Sequence, residues 1–240
     1  MKTQILSIIP ARGGSKGLPN KNIVNLYNKP LISWTIQSSL NSLYINKTVV
    51  TSDSNRILHI AKQYGAGIIY RPPDLALDST HMVPVVLHTL NNIVNIDDFK
   101  YFILLQPTSP LRDSNDIDRA IEIMFKRGAT AVISAYEPEH SPLKSFIDDE
   151  RGFLKGIINN EFPFMRRQDL PNVYMPNGAI YIADIAEFKN QQSFILSKTI
   201  PYIMDKERSF DIDSKDDLAK CESCLEMKLD KGIHSSIKNN

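Results

Sequence analysis

Ile8-Ile-Pro-Ala-Arg-Gly-Gly-Ser-Lys-Gly-Leu-Pro-Asn-Lys-Asn22 joins the end of an apolar run to a glycine-rich, basic loop. The run starts at Ile5, reads as a buried strand through Ile9, and breaks at Pro10. Beyond it come Gly13, Gly14 and Gly17, threaded with Arg12, Lys16 and Lys21. Glycines let a backbone approach a ligand closely, with N–H groups turned toward phosphate oxygens. The three cations supply charge that a triphosphate would match. Neither common nucleotide fingerprint fits, because there is no G-x-G-x-x-G and the order Ser15-Lys-Gly is not that of a P-loop. Read alone, the loop is as compatible with a basic surface turn as with a phosphate cradle.

Outward from this stretch, strand and helix patterns alternate, which predicts a mostly parallel sheet covered by helices on both faces. Short apolar runs at Ile5–Ile9, Thr48–Thr51, Tyr101–Leu105 and Ala131–Ala135 read as central strands. Ile57, Ile60, Ala61 and Tyr64 share a helical face that stops at Gly65. Val83, Val86, Leu87, Leu90 and Val94 form a second stripe, with Pro84 in its first turn, and Ile117, Ala120, Ile121, Met124 and Phe125 form a third. In such sheets ligands bind beyond the carboxyl ends of the strands, where Arg12 and Gln106 both fall. From Glu137 to about Asn172 the alternation lapses, and the short runs Phe146–Asp148 and Gly156–Ile158 read as an insertion within one domain spanning 1–240. The polar residues Ser235 to Asn240 read as a frayed end.

The 240 residues suffice for a full core, and 42% hydrophobic with 23% charged residues describe an ordinary globular protein. A net charge of +1 argues against a nucleic-acid binder held through a broad basic surface. No apolar run is long enough to span a bilayer, and Met1-Lys-Thr-Gln4 leads into the first strand without a secretory pattern, so no membrane partner and a cytoplasmic location are expected. Cys221 and Cys224 lie on a helical pattern with Leu218, Leu225 and Leu229, which makes Cys221 a small buried apolar residue before it is a metal or redox ligand.

Asp211 and Asp213 flank Ile212, and in an extended segment alternate residues point the same way. Two carboxylates on one face suit Mg²⁺, which is usually held by a pair of carboxylates together with substrate phosphates. The same acids also suit a helix start, since Ser214 and Asp217 make a capping-box-like pair.

The opening stretch, with Leu105-Gln-Pro-Thr-Ser-Pro-Leu-Arg112, Pro176-Asn-Gly-Ala-Ile-Tyr181 and Asp211-Ile-Asp213 in the same order, resembles the acylneuraminate cytidylyltransferases, the CMP-sialic acid synthetases. The resemblance runs from about Ile5 to about Leu229. It implies a three-layer, Rossmann-like α/β fold of the nucleotidyltransferase type with a small dimerisation arm at 137–172, and hence a homodimer. It implies transfer of CMP from CTP, the co-substrate, to the anomeric hydroxyl of a nine-carbon 2-keto sugar acid, with Mg²⁺ on Asp211 and Asp213. Arg12 and Lys21 would offset charge at the reacting phosphates. Ala11, Arg12, Gly13, Ser15, Lys16, Lys21, Asn22, Arg71 and Thr80 would bind the nucleotide. On the acceptor side the resemblance points to Gln106, Ser109, Arg112, Asn177, Tyr181 and Phe194, with Lys144 and Arg167 contributed by the arm.

Two departures stand out. Met82 occupies a place where the family often carries a small hydroxyl residue, so that contact is missing or supplied by Thr80. In Gln192-Ser-Phe-Ile195, Phe194 stands alone where relatives carry paired aromatics. N-acetylneuraminate, legionaminate, pseudaminate and a Kdo-like acid therefore all remain open as acceptors. A catalytically silent nucleotide-binding protein on the same fold is the reading from another class.

Overall fold

The computed structural model describes residues 3–237, with side chains up to residue 227. Strands follow in the order β1 (Gln4–Pro10), β2 (Asn25–Leu26), β3 (Lys29–Pro30), β4 (Lys47–Ser52), β5 (Gly67–Tyr70), β6 (Phe99–Leu104), β7 (Ala131–Tyr136), β8 (Phe146–Asp148), β9 (Leu154–Gly156), β10 (Met175–Asp184) and β11 (Thr199–Ile203). The α-helices are α1 (Leu31–Leu40), α2 (Asn55–Gln63), α3 (Met82–Asn91), α4 (Ser114–Arg127), α5 (Ile185–Gln191) and α6 (Lys215–Ile237). Seven strands form the main sheet in the order β11–β7–β10–β6–β1–β4–β5. β10 runs antiparallel to β6 and β7, and the remaining neighbours pair in parallel. This is the α/β, mostly parallel arrangement expected.

Alternation along the strands builds two cores. Ile5, Ile9, Val50, Ile103 and Ile182 face α1, α2 and α4, where they meet Ile36, Ile57, Ala61, Ile117 and Ile121. Leu6, Ile8, Val49, Phe102 and Leu104 face the other way, toward Val86 and Leu90 of α3 and Phe188 of α5. A third cluster gathers Leu18, Leu31, Leu111, Ile212, Cys221 and Leu225, with Leu218 packed against it. It fastens the first basic loop and the Asp211–Asp213 segment to the start of α6. Burial pushes the Cys221 thiol up to about 12, so it behaves as an apolar group. The side chain of Leu229, also expected on this stripe, and residues 238–240 of the polar tail lie outside the described residues. The helix itself runs through Ser235 to Ile237, where a frayed end was expected.

Several boundaries differ from the sequence reading. Val94 was expected on the α3 stripe, but the helix ends at Asn91, and Val94 is exposed. The Asn92 amide donates to the carbonyl of His88 (2.8 Å), and Asn95 turns left-handed at φ 59°. Phe125 is partly exposed but rests edge-on against Tyr101 and Tyr44. In the 137–172 segment the second short strand is Leu154–Gly156, paired with Phe146–Asp148, and not Gly156–Ile158. Asn160 explains the shift, because its side chain accepts the Gly156 N–H (3.0 Å) and ends the strand there. This small hairpin replaces the helix that usually connects neighbouring strands. β7 and β10 are antiparallel and need no helical crossover.

Candidate active site

The basic loop leaves β1 at the carboxyl edge of the sheet and is held mainly through its backbone. Ala11 N–H donates to Thr51 O (3.0 Å) and Gly13 N–H to the Asp53 carboxylate (2.9 Å). The Asn22 amide donates to Arg12 O (3.0 Å), closing the loop on itself. A Cβ at Gly17 would stand 2.5 Å from the Asp213 carbonyl oxygen, whereas one at Gly14 would meet nothing within 4 Å. Close approach to the Asp211–Asp213 segment therefore demands glycine at 17 and not at 14.

Between this loop, the 71–82 loop and the end of β6 lies a cleft of about 280 Å³, lined by Arg12, Lys21, Asn22, Arg71, Thr80, Met82, Gln106 and Asp211 among others. Its cations stand beside carboxylates. Arg12 and Lys16 share Asp78 (2.5 and 2.9 Å), and Lys21 pairs with Asp213 (2.6 Å). Lys16 and Arg12 together hold the Asp78 carboxyl below its ordinary range. Arg71 is different. It is only 3% exposed, its nearest carboxylate, Asp53, is 3.9 Å away, and its Nε and Nη2 have no hydrogen-bond partner among the described residues. Burial pulls its pKa down, Asp53 opposing that and Arg12 adding to it. Arg71 lines the cleft while two of its buried donors go unused, so this guanidinium has hydrogen-bonding capacity to spare for an anion or carbonyl group.

The paired acids come from the segment between β11 and α6, which is anchored residue by residue. Arg208 pairs with Asp116 and donates to Leu111 O (3.1 Å), and Ser209 Oγ accepts from Asn177 (2.9 Å). Ile212 is fully buried and its N–H donates to Thr108 O (2.9 Å). Asp211 opens on the cleft, yet the protein packed around it raises its carboxyl above the usual range. A hydrogen bond from Thr108 and the charge of Lys21 oppose that shift, while Asp213 and Asp217 repel and reinforce it. The helix-start alternative is met by other groups, since Asp217 accepts from Ser214 N–H (2.9 Å) and Ser214 Oγ accepts from Asp217 N–H (3.2 Å). The carboxylates of Asp211 and Asp213 are thus left for other work. Among the described residues no cluster of three or more His, Cys, Asp or Glu could hold a metal alone. Of the paired acids, Asp211 lines the cleft, whereas Asp213 lies outside its lining and is paired with Lys21. A hard oxygen donor at a phosphate-sized cleft, with a second carboxylate two residues on, fits Mg²⁺ that takes its remaining ligands from substrate and water.

Of the residues expected on the acceptor side, Gln106 lines the cleft, and Gly178, at φ +74°, leaves room for it, since a Cβ there would lie 2.5 Å from Gln106 Oε1. Ser109, Arg112 and Asn177 sit behind this wall. Ser109 Oγ donates to Asn177 O (3.4 Å), and the Asn177 side chain bridges Ser134 (2.6 Å) and Ser209 (2.9 Å). Arg112 is fully buried, donates to Thr35 Oγ1 (2.8 Å), and is held by burial at about 10. Tyr181 and Phe194 lie outside the cleft's lining, their rings tilted at 53° with centroids 5.3 Å apart and Phe194 packed on Phe188, and burial, then Asp211, raises the Tyr181 phenol. Thr80 Oγ1 donates to Asp74 O (3.1 Å), Ser15 is half-buried in the loop, and Ala11 is buried. Lys144 and Arg167 are exposed on the arm, Arg167 beside a separate hollow with Glu137 and Leu170, and a single chain brings neither to the cleft. Sequence reasoning missed Asp53, Asp78 and Thr108. The first two were detectable as the acids needed to balance a cluster of cations, and Thr108 lies inside a block already singled out.

A family profile described as cytidylyltransferase matches residues 6–229. The chain is 36% identical over 217 residues to the N-acylneuraminate cytidylyltransferase of Escherichia coli O18:K1:H7, covering 90% of this chain and 51% of that protein. It thus spans about half the length of the first curated relatives it matches. It is 35% identical over 228 residues to the CMP-N,N'-diacetyllegionaminic acid synthase of Legionella pneumophila, covering 93% of this chain and 97% of that one. Among solved structures, a CMP:2-keto-3-deoxy-manno-octonic acid synthetase complexed with CTP superposes with a TM-score of 0.69 at 15% identity, covering 94% of this chain and all of the other, a likeness of fold alone.

Proposed function

The chain belongs to the cytidylyltransferase family, and from that membership we propose that it transfers CMP from CTP to the anomeric hydroxyl of a sialic-acid-like nonulosonic acid and releases pyrophosphate. The observation that carries this reading is Arg71, a buried guanidinium whose Nε and Nη2 are unused, in the same cleft as Arg12, Lys21 and Asp211. In the proposed reaction the sugar hydroxyl oxygen bonds to the α-phosphorus, the bond from that phosphorus to the bridging oxygen breaks, and the hydroxyl proton passes to solvent. Arg12, Lys16 and Lys21 bind the triphosphate, and Arg12 and Lys21 offset the charge that grows on the leaving pyrophosphate. Gly13, Ser15 and Asn22 shape the loop around it, while Arg71 and Thr80 face the nucleoside. Asp211 and Asp213 would hold Mg²⁺, which when bound neutralises phosphate charge and aligns the displacement.

Gln106, Tyr181 and Phe194 form the acceptor side, stiffened from behind by Ser109, Arg112 and Asn177. The 137–172 hairpin is the dimerisation arm and carries Lys144 and Arg167 toward a second subunit's acceptor site. Its surface supports this, since Phe153, Leu154, Ile158 and Phe164 are each more than 60% exposed. The enzyme works in the cytoplasm, where CTP is at hand, and among the described residues no helix is long and apolar enough to cross a membrane. The test is pyrophosphate release from CTP and Mg²⁺ with N-acetylneuraminate, legionaminate, pseudaminate and Kdo in parallel. Release with one or more of the first three supports the proposal. Release with Kdo alone, or CTP binding without turnover of any acid, overturns it.

A further inference from the structure

Asp78 sits in the turn closed by Thr80 N–H and Leu77 O (3.1 Å), on the wall of the cleft opposite the basic loop. Its Oδ1 meets Arg12 Nη1 at 2.5 Å and its Oδ2 meets Lys16 Nζ at 2.9 Å, so each oxygen serves one cation. Among the described residues no other donor reaches this carboxylate. The cleft's other lining acid, Asp211, is hydrogen-bonded by Thr108, and the acids just outside the lining are engaged elsewhere. Asp53 accepts the Gly13 N–H, and Asp213 pairs with Lys21. Asp78 therefore does what a phosphate would do, bridging two cations that the proposed function assigns to the triphosphate.

We propose that Asp78 is a tethered counter-anion that competes with the β- and γ-phosphates for Arg12 and Lys16 and helps expel pyrophosphate. The inference rests on the triphosphate reading of the loop. Arg12 and Lys16 cannot give the same donors to Asp78 and to a phosphate, and a carboxylate left beside a bound polyphosphate would be repelled. The side chain is 40% exposed on a surface turn, so it is free to swing out when the nucleotide enters. After the displacement its high local concentration lets it reclaim both cations as pyrophosphate leaves. Asp78 acts through Arg12 and Lys16 and is a positioning residue, not a catalytic one.

The test is calorimetric binding of pyrophosphate and of tripolyphosphate to the full chain, wild type against Asp78→Asn and Asp78→Ala. Both variants should bind each probe about tenfold tighter, the scale of two part-exposed ion pairs. In turnover, KM for CTP and kcat should fall together, because the product stays bound longer, a pattern that a structural lesion does not give. Unchanged or weaker polyphosphate binding in both variants, with wild-type binding intact, overturns the competition alone. Binding of neither probe by the wild type overturns the triphosphate reading and the competition with it.

Discussion

The carbonyl oxygen of Asp213 occupies the space where a side chain on Gly17 would begin, 2.5 Å from the Cβ position. One missing methyl group thus sets how near the basic loop comes to the paired acids. Gly17→Ala should push the two apart and lower kcat/KM by about a hundredfold, the scale of an ångström's misplacement. Gly14→Ala, which meets nothing within 4 Å, should stay within a few-fold of wild type. Steady-state kinetics on both variants check the pair, and equal losses would refute the steric account.

Arg71 should separate stability from binding. Its guanidinium is buried, lacks a close ion pair, and leaves two nitrogens unbonded. Replacing such a group with a flexible apolar chain is often neutral or stabilising. Arg71→Met should therefore hold or raise the thermal midpoint of the free protein while weakening CTP binding by about tenfold or more. Thermal melts without ligand and a CTP titration read the two effects independently.

Asp211→Asn should do the same on the metal side, with a pH signature. Because the folded protein raises the Asp211 pKa, the carboxyl favours folding when protonated and loses that contribution as pH rises through the folded pKa. At neutral pH the ionised group is thus a burden that the amide removes. The variant should melt higher than wild type at pH 7, the advantage fading below the ordinary carboxylate range, with activity down about a hundredfold or more. Melting curves from pH 3 to 8 test the sign.

The two cysteines should differ in reactivity. Cys221, with its thiol at about 12 and no exposed surface, should resist iodoacetamide at pH 8 in the folded chain and react after denaturation, while the partly exposed Cys224 should react in both states. Peptide mapping of the alkylated protein distinguishes them.

For the arm, Leu154→Glu with Phe164→Glu should convert a dimer into a monomer in sedimentation at micromolar concentration, since both side chains are largely exposed in the single chain. A wild-type monomer at that concentration would count against the dimer.

Legibility followed the range of the interactions. The central strands β1, β4, β6 and β7 announced themselves as runs of Ile, Leu, Val and Ala because both their faces are buried. β10 did not, since its entry carries Pro176, Asn177 and Gly178, residues chosen there for a turn past Gln106 and for anchoring Ser209. β5 hid as three exposed residues and one half-buried on the sheet edge. Among site residues, the basic loop and the acid pair were visible because their chemistry is local to a few positions. Ser109, Arg112 and Asn177 were also visible, yet whether they face the cleft or stand behind it depends on packing that no spacing records.

By itself the sequence determined the alternating α/β architecture, the edge of the sheet at which ligands meet, and the residue types gathered there. Hydrophobic period and backbone chemistry act over a few residues and are written in order along the chain. Only the tertiary structure decided which acid serves which cation. It set Asp78 against Arg12 and Lys16, Asp213 against Lys21, and left Arg71 with donors to spare. Coulombic and hydrogen-bond partners are chosen by distances of a few ångströms between residues as much as 192 positions apart, and those distances exist only once the sheet has closed its loops around one cleft.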